Sequence, residues 1–498
     1  MNIFQNKKLM ALLCLFTFNL AAQERNLTLT NKDITNKIEP LVSNELLVSK
    51  TDEIIKQYTD PGWFSGSLVI FKGDKVIYDK SFGFADIEKN LKNTSAIKIR
   101  IGSINKHFTA ALVMQNIQSG KLSLDDKLIK FDLGFPIHIA EKITIRHLLS
   151  HKSGFADIFN NEYFETYQSL KTINDKLPLL IDKPLISEPG VEYNYSNYGY
   201  IVLGAILEKI EKKSFGMILN ENILNVIKAD NTDYDLTENV KGKAKSYHFS
   251  PIGEKIDKTK SLENITPDGG MYSTPYDLAL FYSKLLYGNQ LLNNKSKAVM
   301  LNGYKEPIKP WSETLDNDKA YWSAYGGGPG VSAAVDILIK DKLMVIALAN
   351  TDDVVAERIT QRVLEVYQGK QYKKVMLPLA LFALKLLEEK GDVYFVENAK
   401  REFSEAGYKN YSARPLNKLG FALIKNNQID QAISIFNANT KLFPLDGNLQ
   451  DSLGEVFFKA GLFKLAEKSF ERAIDLSSAD NCQWCENSQA KLLEIRSK

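Results

Sequence analysis

The sequence predicts an α/β sandwich whose sheet is assembled from sequence-distant strands, followed by an all-α domain. Three observations carry this. Runs of β-type residues lie near both ends of the first 370 residues. The stretch between them, residues 121–315, is mostly helical in pattern with loops. The tail from residue 375 has a purely helical texture and repeats itself every 34 residues. A length of 498 residues leaves ample chain for a large buried core and more than one domain.

The N-terminus reads as a targeting segment. Lys7 and Lys8 form a positive start, and Leu9 to Phe18 is an apolar run too short to span a bilayer. Ala21 and Ala22 follow, so residues 1–22 are expected to be a secretory signal peptide and the protein to be exported, periplasmic or extracellular. Leu20 occupies a position where a small residue is preferred, which leaves the cleavage point open. Leu13 before Cys14 argues against lipid attachment at that cysteine. No later stretch is apolar enough for a membrane span.

The first domain is placed at residues 26–370. Residues 26–60 are amphipathic, with Leu41, Leu46, Leu47, Ile54 and Ile55 on a helical spacing. Residues 66–78 then carry two β-rich runs around Gly73-Asp74, a hairpin signal. Phe108, Ala111, Leu112, Met114 and Ile117 recur at helical intervals between Ser103 and Gly120, and the glycine is a stop signal. Val335, Ile337 and Ile339 and the run 344–349 restore the β pattern. Ala356 to Val366 closes the domain as a helix.

The second domain is placed at residues 375–498. Leu419-Gly420 recurs as Leu453-Gly454, Ala432 as Ala466, and Phe436 as Phe470. Small residues let paired helices approach, and the phenylalanines fill the groove between them. This resembles the tetratricopeptide repeat. Asn439 and Ser478 depart from its Ala and Pro positions. Two clear repeats are fewer than the usual three, so the helices from 375 to 412 are expected to complete the stack. Cys482 and Cys485 lie near its end, and in an exported chain the expected state is a local disulfide or an idle pair. The C-x-x-C spacing also suits a redox pair or half a zinc site, but no second pair completes the latter.

Formal net charge is +3, with acidic residues interspersed among the lysines, so nucleic acid is not an expected partner. No G-x-S-x-G elbow, P-loop or Rossmann fingerprint is present. His147 and His151 are four apart, as zinc ligands on a helix can be, but no Glu follows His147 and a structural role is the expectation.

Three elements carry chemistry. In Arg100-Ile101-Gly102-Ser103-Ile104-Asn105-Lys106, Ser103 and Lys106 are three apart and share a helical face. A serine hydroxyl needs a base to become a good nucleophile, and a lysine is that base only where its pKa is depressed. Alone, S-x-x-K is a pattern that lysine-rich chains produce by chance. In Tyr193-Asn194-Tyr195-Ser196-Asn197, Tyr195 and Asn197 point the same way if the segment is extended. The other reading is an aromatic structural loop, given Tyr193, Tyr198 and Tyr200. In Tyr325-Gly326-Gly327-Gly328-Pro329-Gly330, a backbone N–H can approach a substrate closely. A plain glycine-rich turn fits as well.

In this order, the three elements resemble the penicillin-recognising serine hydrolases, in the branch of class C β-lactamases, DD-peptidases and esterases. The resemblance covers about residues 50–368. Gly83-Phe84-Ala85-Asp86, Ile145 to Gly154, and Gly269 to Thr274 support it. It implies a β-lactamase-like sandwich of an antiparallel sheet with helices plus a helical domain. It implies Ser103 as the acylated nucleophile, with Lys106 and Tyr195 sharing base and proton-relay roles. Asn197 would bind the substrate amide and orient Lys106. Gly326 and Gly327 would line the substrate, with the N–H groups of Ser103 and Gly327 forming an oxyanion hole. No cofactor or metal is implied. The substrate is a small molecule or peptide whose carbonyl is acylated onto Ser103.

One position departs from that pattern. The third motif usually begins with Lys or His, and here Ala324 stands there, with Tyr325 next; a one-residue shift brings Tyr325 to the slot, which is still no cation. That cation normally helps hold a substrate carboxylate. Its absence favours an esterase or amidase over an efficient β-lactamase. The alternative is a catalytically degenerate hydrolase scaffold whose repeats bind a peptide or protein partner.

Overall fold

The computed structural model describes residues 42–262, 265–351, 354–477, 482 and 484–497. The expected signal peptide at residues 1–22, Cys14 and Ser478 lie outside the described residues. The chain divides into two compact units. One contains the described residues up to 248 together with 257–373, and the other contains 249–256 and the described residues from 374 onward.

The first unit is organised by a five-stranded antiparallel sheet. Its strands are β1 (Gly66–Lys72), β2 (Lys75–Phe82), β3 (Tyr321–Gly328), β4 (Val331–Leu338) and β5 (Leu343–Ala349), in the order β2-β1-β5-β4-β3. The hairpin expected around Gly73-Asp74 is present, and Gly73 turns the chain at φ +59°. β4 and β5 are buried along their whole length, because helices cover both faces. On one face lie α1 (Asn44–Thr59) and the closing helix α5 (Val355–Tyr367). On the other lie α2 (Asn105–Gln118) and α4 (Pro275–Leu286), joined by the stacked rings of Phe108 and Phe281 at 3.8 Å. The helix α3 (Asn197–Glu211) sits beyond α2 and is buried along most of its length. No helix among the described residues is long and apolar enough to cross a membrane.

The glycine-rich stretch differs from a plain turn. Gly326 to Gly328 belong to the edge strand β3 and pair with Ala333, Ser332 and Val331. The turn itself falls on Pro329-Gly330, where Gly330 has φ +72°. The reason is close packing: a Cβ on Gly326 would lie 1.9 Å from the Ile101 carbonyl oxygen.

The second unit is helical. Its helices are α6 (Leu379–Lys390), α7 (Asp392–Glu405), α8 (Arg414–Lys425), α9 (Ile429–Leu442), α10 (Gly447–Lys459), α11 (Phe463–Asp475) and α12 (Cys485–Arg496). The 34-residue repeat corresponds to the pairs α8–α9 and α10–α11. The ring of Phe436 presses on Gly420, where a Cβ would come within 2.4 Å, and Phe470 presses on Gly454, within 2.6 Å. Asn439, unusual at a small-residue position, is fully buried and donates to the Ala413 carbonyl at 3.0 Å. Cys482 and Cys485 are disulfide-bonded at the start of α12. That helix is tied to α10 by hydrogen bonds from Ser488 and Asn487 to Asp451.

Candidate active site

Ser103 lies in a single 3-10 turn, Gly102–Ile104, that runs into α2. Gly102 has φ +51°, and a Cβ there would sit 2.8 Å from the Gly327 nitrogen, so this turn requires glycine. One helical turn on, Lys106 is 4% exposed. Its Nζ reaches three acceptors: Ser103 Oγ at 3.1 Å, Asn197 Oδ1 at 2.6 Å and the Asp268 carbonyl at 2.6 Å. The three-residue spacing that makes Ser103 and Lys106 neighbours is local. The other two contacts come from 91 and 162 residues away.

Burial dominates the titration of Lys106 and lowers its pKa to about 8, against an opposing pull from the carboxylates of Asp268 and Asp157. A measurable fraction is therefore unprotonated near neutral pH. Tyr195 behaves in the opposite way. Its hydroxyl donates to Ser103 Oγ at 2.9 Å, and burial pushes its pKa well above that of a free phenol. Of the two groups on the serine oxygen, the amine can surrender a proton near neutrality and the phenol holds its own.

Tyr195 is fixed from behind. Its ring stacks on His151 at 4.3 Å, and His151 Nδ1 accepts from the Ser196 N–H at 3.2 Å. Burial lowers the pKa of His151 to about 3, so this imidazole is a neutral platform. Asn197 begins α3 directly after Ser196, which caps that helix. The Asn197 Nδ2 lies 3.0 Å from both carboxylate oxygens of Asp157, and its backbone N–H donates to Asp157 Oδ1 at 3.1 Å.

The segment 266–268, which supplies the Asp268 carbonyl, is fastened to α2. Asn105 Nδ2 donates to the Pro267 carbonyl at 2.9 Å, and Thr109 Oγ1 donates to the same oxygen at 2.6 Å. Gly326 closes the site from β3, its missing Cβ position only 3.0 Å from the Ser103 nitrogen. Ser103, Lys106, Tyr195 and Asn197 thus form one hydrogen-bonded group, with Gly326 and Gly327 against the Ile101–Ser103 backbone.

Ala324 is 3% exposed and packs in the core. Tyr325 lies on the opposite face of β3, donates to Asp336 Oδ1 at 2.7 Å and accepts from Gln361 Nε2 at 3.4 Å. Neither residue supplies a cation. Asp336 is fully buried, and burial raises its pKa. Burial and then Asp336 raise that of nearby Glu357.

Neither Asp157 nor Asp268 is among the residues singled out by the sequence; His151, expected to be structural, supports the Tyr195 ring. Asp157 lies just past the Ile145–Gly154 landmark, the only sequence signal that pointed toward it. His147 is used locally: it caps the helix Ile145–Leu149, with Nδ1 accepting from the Thr144 N–H at 3.3 Å.

A family model described as Beta-lactamase matches residues 51–368. Penicillin-binding protein 4* of Bacillus subtilis (strain 168) is 27% identical over 318 residues, which is 58% of this chain and 69% of that protein. Protein flp of Staphylococcus aureus (strain N315) is 28% identical over 228 residues, 45% of this chain and 44% of that protein. The chain thus spans less than half the length of the flp relatives it matches. Among solved structures, the octameric penicillin-binding protein homologue from Pyrococcus abyssi has a TM-score of 0.58 at 24% identity, covering 69% of this chain and 82% of that one. EstCE1, a hydrolase with promiscuous acyltransferase activity, has a TM-score of 0.55 at 21% identity, covering 66% and 99%. These structural likenesses establish the fold.

Proposed function

Because the chain belongs to the beta-lactamase family, we propose that it is a serine hydrolase that works through an acyl-enzyme on Ser103. One observation carries the reading: Lys106 Nζ and the Tyr195 hydroxyl converge on Ser103 Oγ at 3.1 and 2.9 Å. In the reaction, unprotonated Lys106 takes the Ser103 proton as Oγ attacks the substrate carbonyl. The N–H groups of Ser103 and Gly327 receive the oxyanion, and one such donor is typically worth about 2.7–4 kcal/mol. The proton then passes by way of Lys106 and Tyr195 to the leaving group, and the C–O or C–N bond breaks. Water, deprotonated by the same pair, hydrolyses the ester and returns the proton to Ser103.

The substrate class follows from the third element. With Ala324 buried and Tyr325 bound to Asp336, no cation waits for a substrate carboxylate at that position. This favours esters or amides of low negative charge over β-lactams, in the class C-like branch. The 34-residue helical pairs are read as tetratricopeptide-like, on the strength of the Gly420–Phe436 and Gly454–Phe470 contacts. The N-terminal residues are read as an export signal.

The test is labelling by a fluorophosphonate serine probe, with Ser103→Ala as control, alongside turnover of a short-chain aryl ester and a chromogenic cephalosporin. Labelling that depends on Ser103 and faster ester turnover are expected. Absence of Ser103-dependent labelling would return the chain to the reading of an inactive scaffold. Fast turnover of the cephalosporin alone would overturn the substrate class.

A further inference from the structure

Asn197 is held from both ends of its amide. Its Nδ2 has both Asp157 oxygens at 3.0 Å, and its Oδ1 takes the Lys106 ammonium at 2.6 Å. An amide has two N–H donors and one carbonyl acceptor. Here the carbonyl acceptor is committed to Lys106, and the two Asp157 oxygens, side by side on one carboxylate, engage one of the two N–H donors. The orientation is also forced. A carboxylate accepts and never donates when ionised, so Asp157 selects the amide flip that turns Nδ2 toward itself and Oδ1 toward Lys106.

Asp157 is itself held. Burial raises its pKa, and three N–H contacts from Asn197 oppose that by favouring the ionised form. It sits on the segment that follows the helix Ile145–Leu149, so it links that segment to the start of α3.

We propose that Asp157 is a positioning residue for catalysis: it locks Asn197 as an acceptor for Lys106 and places a negative charge behind that amide. This rests on the proposed Ser103–Lys106 chemistry. Asp157 then acts through Asn197 and Lys106.

The groups facing Lys106 support an electrostatic part for Asp157. Among the described residues these are His107 on α2 itself and, from the other elements, Tyr195, Tyr200, His151, Asp157 and Asp268. Tyr195 and Tyr200 are raised by burial, and the histidines are lowered to about 4 and about 3, so all four are neutral at working pH. Among the described residues, the charges acting on Lys106 are therefore the carboxylates of Asp157 and Asp268, which both favour the ammonium. Removing one lowers the pKa of Lys106 further. A shift of about one unit is the low end of what a close opposite charge produces.

The experiment compares wild type with Asp157→Asn and Asp157→Glu. On a neutral aryl ester, Asp157→Asn is expected to move the acid limb of kcat/KM to lower pH by about one unit. Its KM should stay within about two-fold of wild type, with the loss of about ten-fold or more in kcat. Asp157→Glu keeps the charge and should keep the limb where it is in wild type. The same titration is read without turnover by ¹³Cε-lysine NMR, the Lys106 signal being assigned by its loss in Lys106→Arg. An unmoved Lys106 titration in Asp157→Asn overturns the proposal, as does a rise in KM at constant kcat, which would place the effect of Asp157 on substrate binding instead of on Lys106. If wild type shows no Ser103-dependent turnover, the hydrolase reading fails while the NMR titration still decides the role of Asp157.

Discussion

Replacing Gly326 by alanine tests whether β3 holds the nucleophile in place. The added Cβ would lie 1.9 Å from the Ile101 carbonyl oxygen, 2.8 Å from the Ile101 carbonyl carbon and 3.0 Å from the Ser103 nitrogen. All three are backbone atoms, so no flexible side chain can absorb the clash. Ordinary contact begins near 3.4 Å, and the strand and the Ile101–Ser103 turn must therefore separate by about 1.5 Å. The strand is paired along its length with β4, which resists that movement. Overpacking of this kind typically costs about 1–3 kcal/mol of stability. The catalytic cost is larger, because a misplacement of about 1 Å is associated with about a 100-fold loss of rate. A 100-fold loss or more in kcat/KM on an aryl ester, equivalent to about 2.7 kcal/mol of transition-state stabilisation, is therefore expected. Thermal unfolding should still be cooperative, with a lowered midpoint. Gly199→Ala is the control: its nearest neighbour would be the Leu148 side chain at 3.7 Å, and activity should stay within about two-fold. A Gly326→Ala protein that is folded and near wild type in kcat/KM would refute the view that β3 positions Ser103.

Three further outcomes follow from the site. Lys106 must lose its proton to serve as base, so kcat/KM should rise through a pKa of about 8, and Lys106→Arg, which cannot deprotonate, should remove about 10²–10⁴-fold of the rate; a flat profile between pH 6 and 9 would contradict this. Tyr195→Phe keeps the stack on His151 and deletes only the hydroxyl on Ser103 Oγ, so it should lose activity by about 10²-fold or more while its unfolding midpoint barely moves. His107 and His151 are held neutral, with pKa values of about 4 and about 3. The unfolded chain binds their protons first, so each should reduce stability by about 1.4 kcal/mol per pH unit as pH falls below about 6.5, down to its folded pKa. Denaturant titrations at pH 7, 6 and 5 read this slope, and its disappearance from pH 6 to 5 in the double variant His107→Gln/His151→Gln would assign it.

Much of the architecture was legible because it is encoded over short distances. Gly73-Asp74 lies between two β-rich runs, and the strands end where that turn begins and ends. The helix after Ser103 follows its apolar spacing and stops before Gly120, which adopts φ +78°. The repeat was visible because Gly420 and Gly454 leave room that Phe436 and Phe470 must fill. The same locality explains why a plain turn fitted Gly326 to Gly328 as well as a close backbone approach did. Glycine there serves a contact with residues more than 200 positions earlier, and nothing in the neighbouring sequence reports that contact.

The sequence by itself determined the order of the elements, the helical neighbourhood of Ser103 and Lys106, and the absence of a cation at Ala324 and Tyr325. These depend on residue type, turn chemistry and the 3.6-residue period. The tertiary structure decided what those residues can do. It buried Lys106 and so lowered its pKa to about 8, brought the Asp268 carbonyl and Asn197 to its Nζ, and set Asp157 against the Asn197 amide. Desolvation and hydrogen-bond occupancy are through-space properties of groups far apart in the chain. No local pattern specifies them, which is why Asp157 emerged only when the chain was folded.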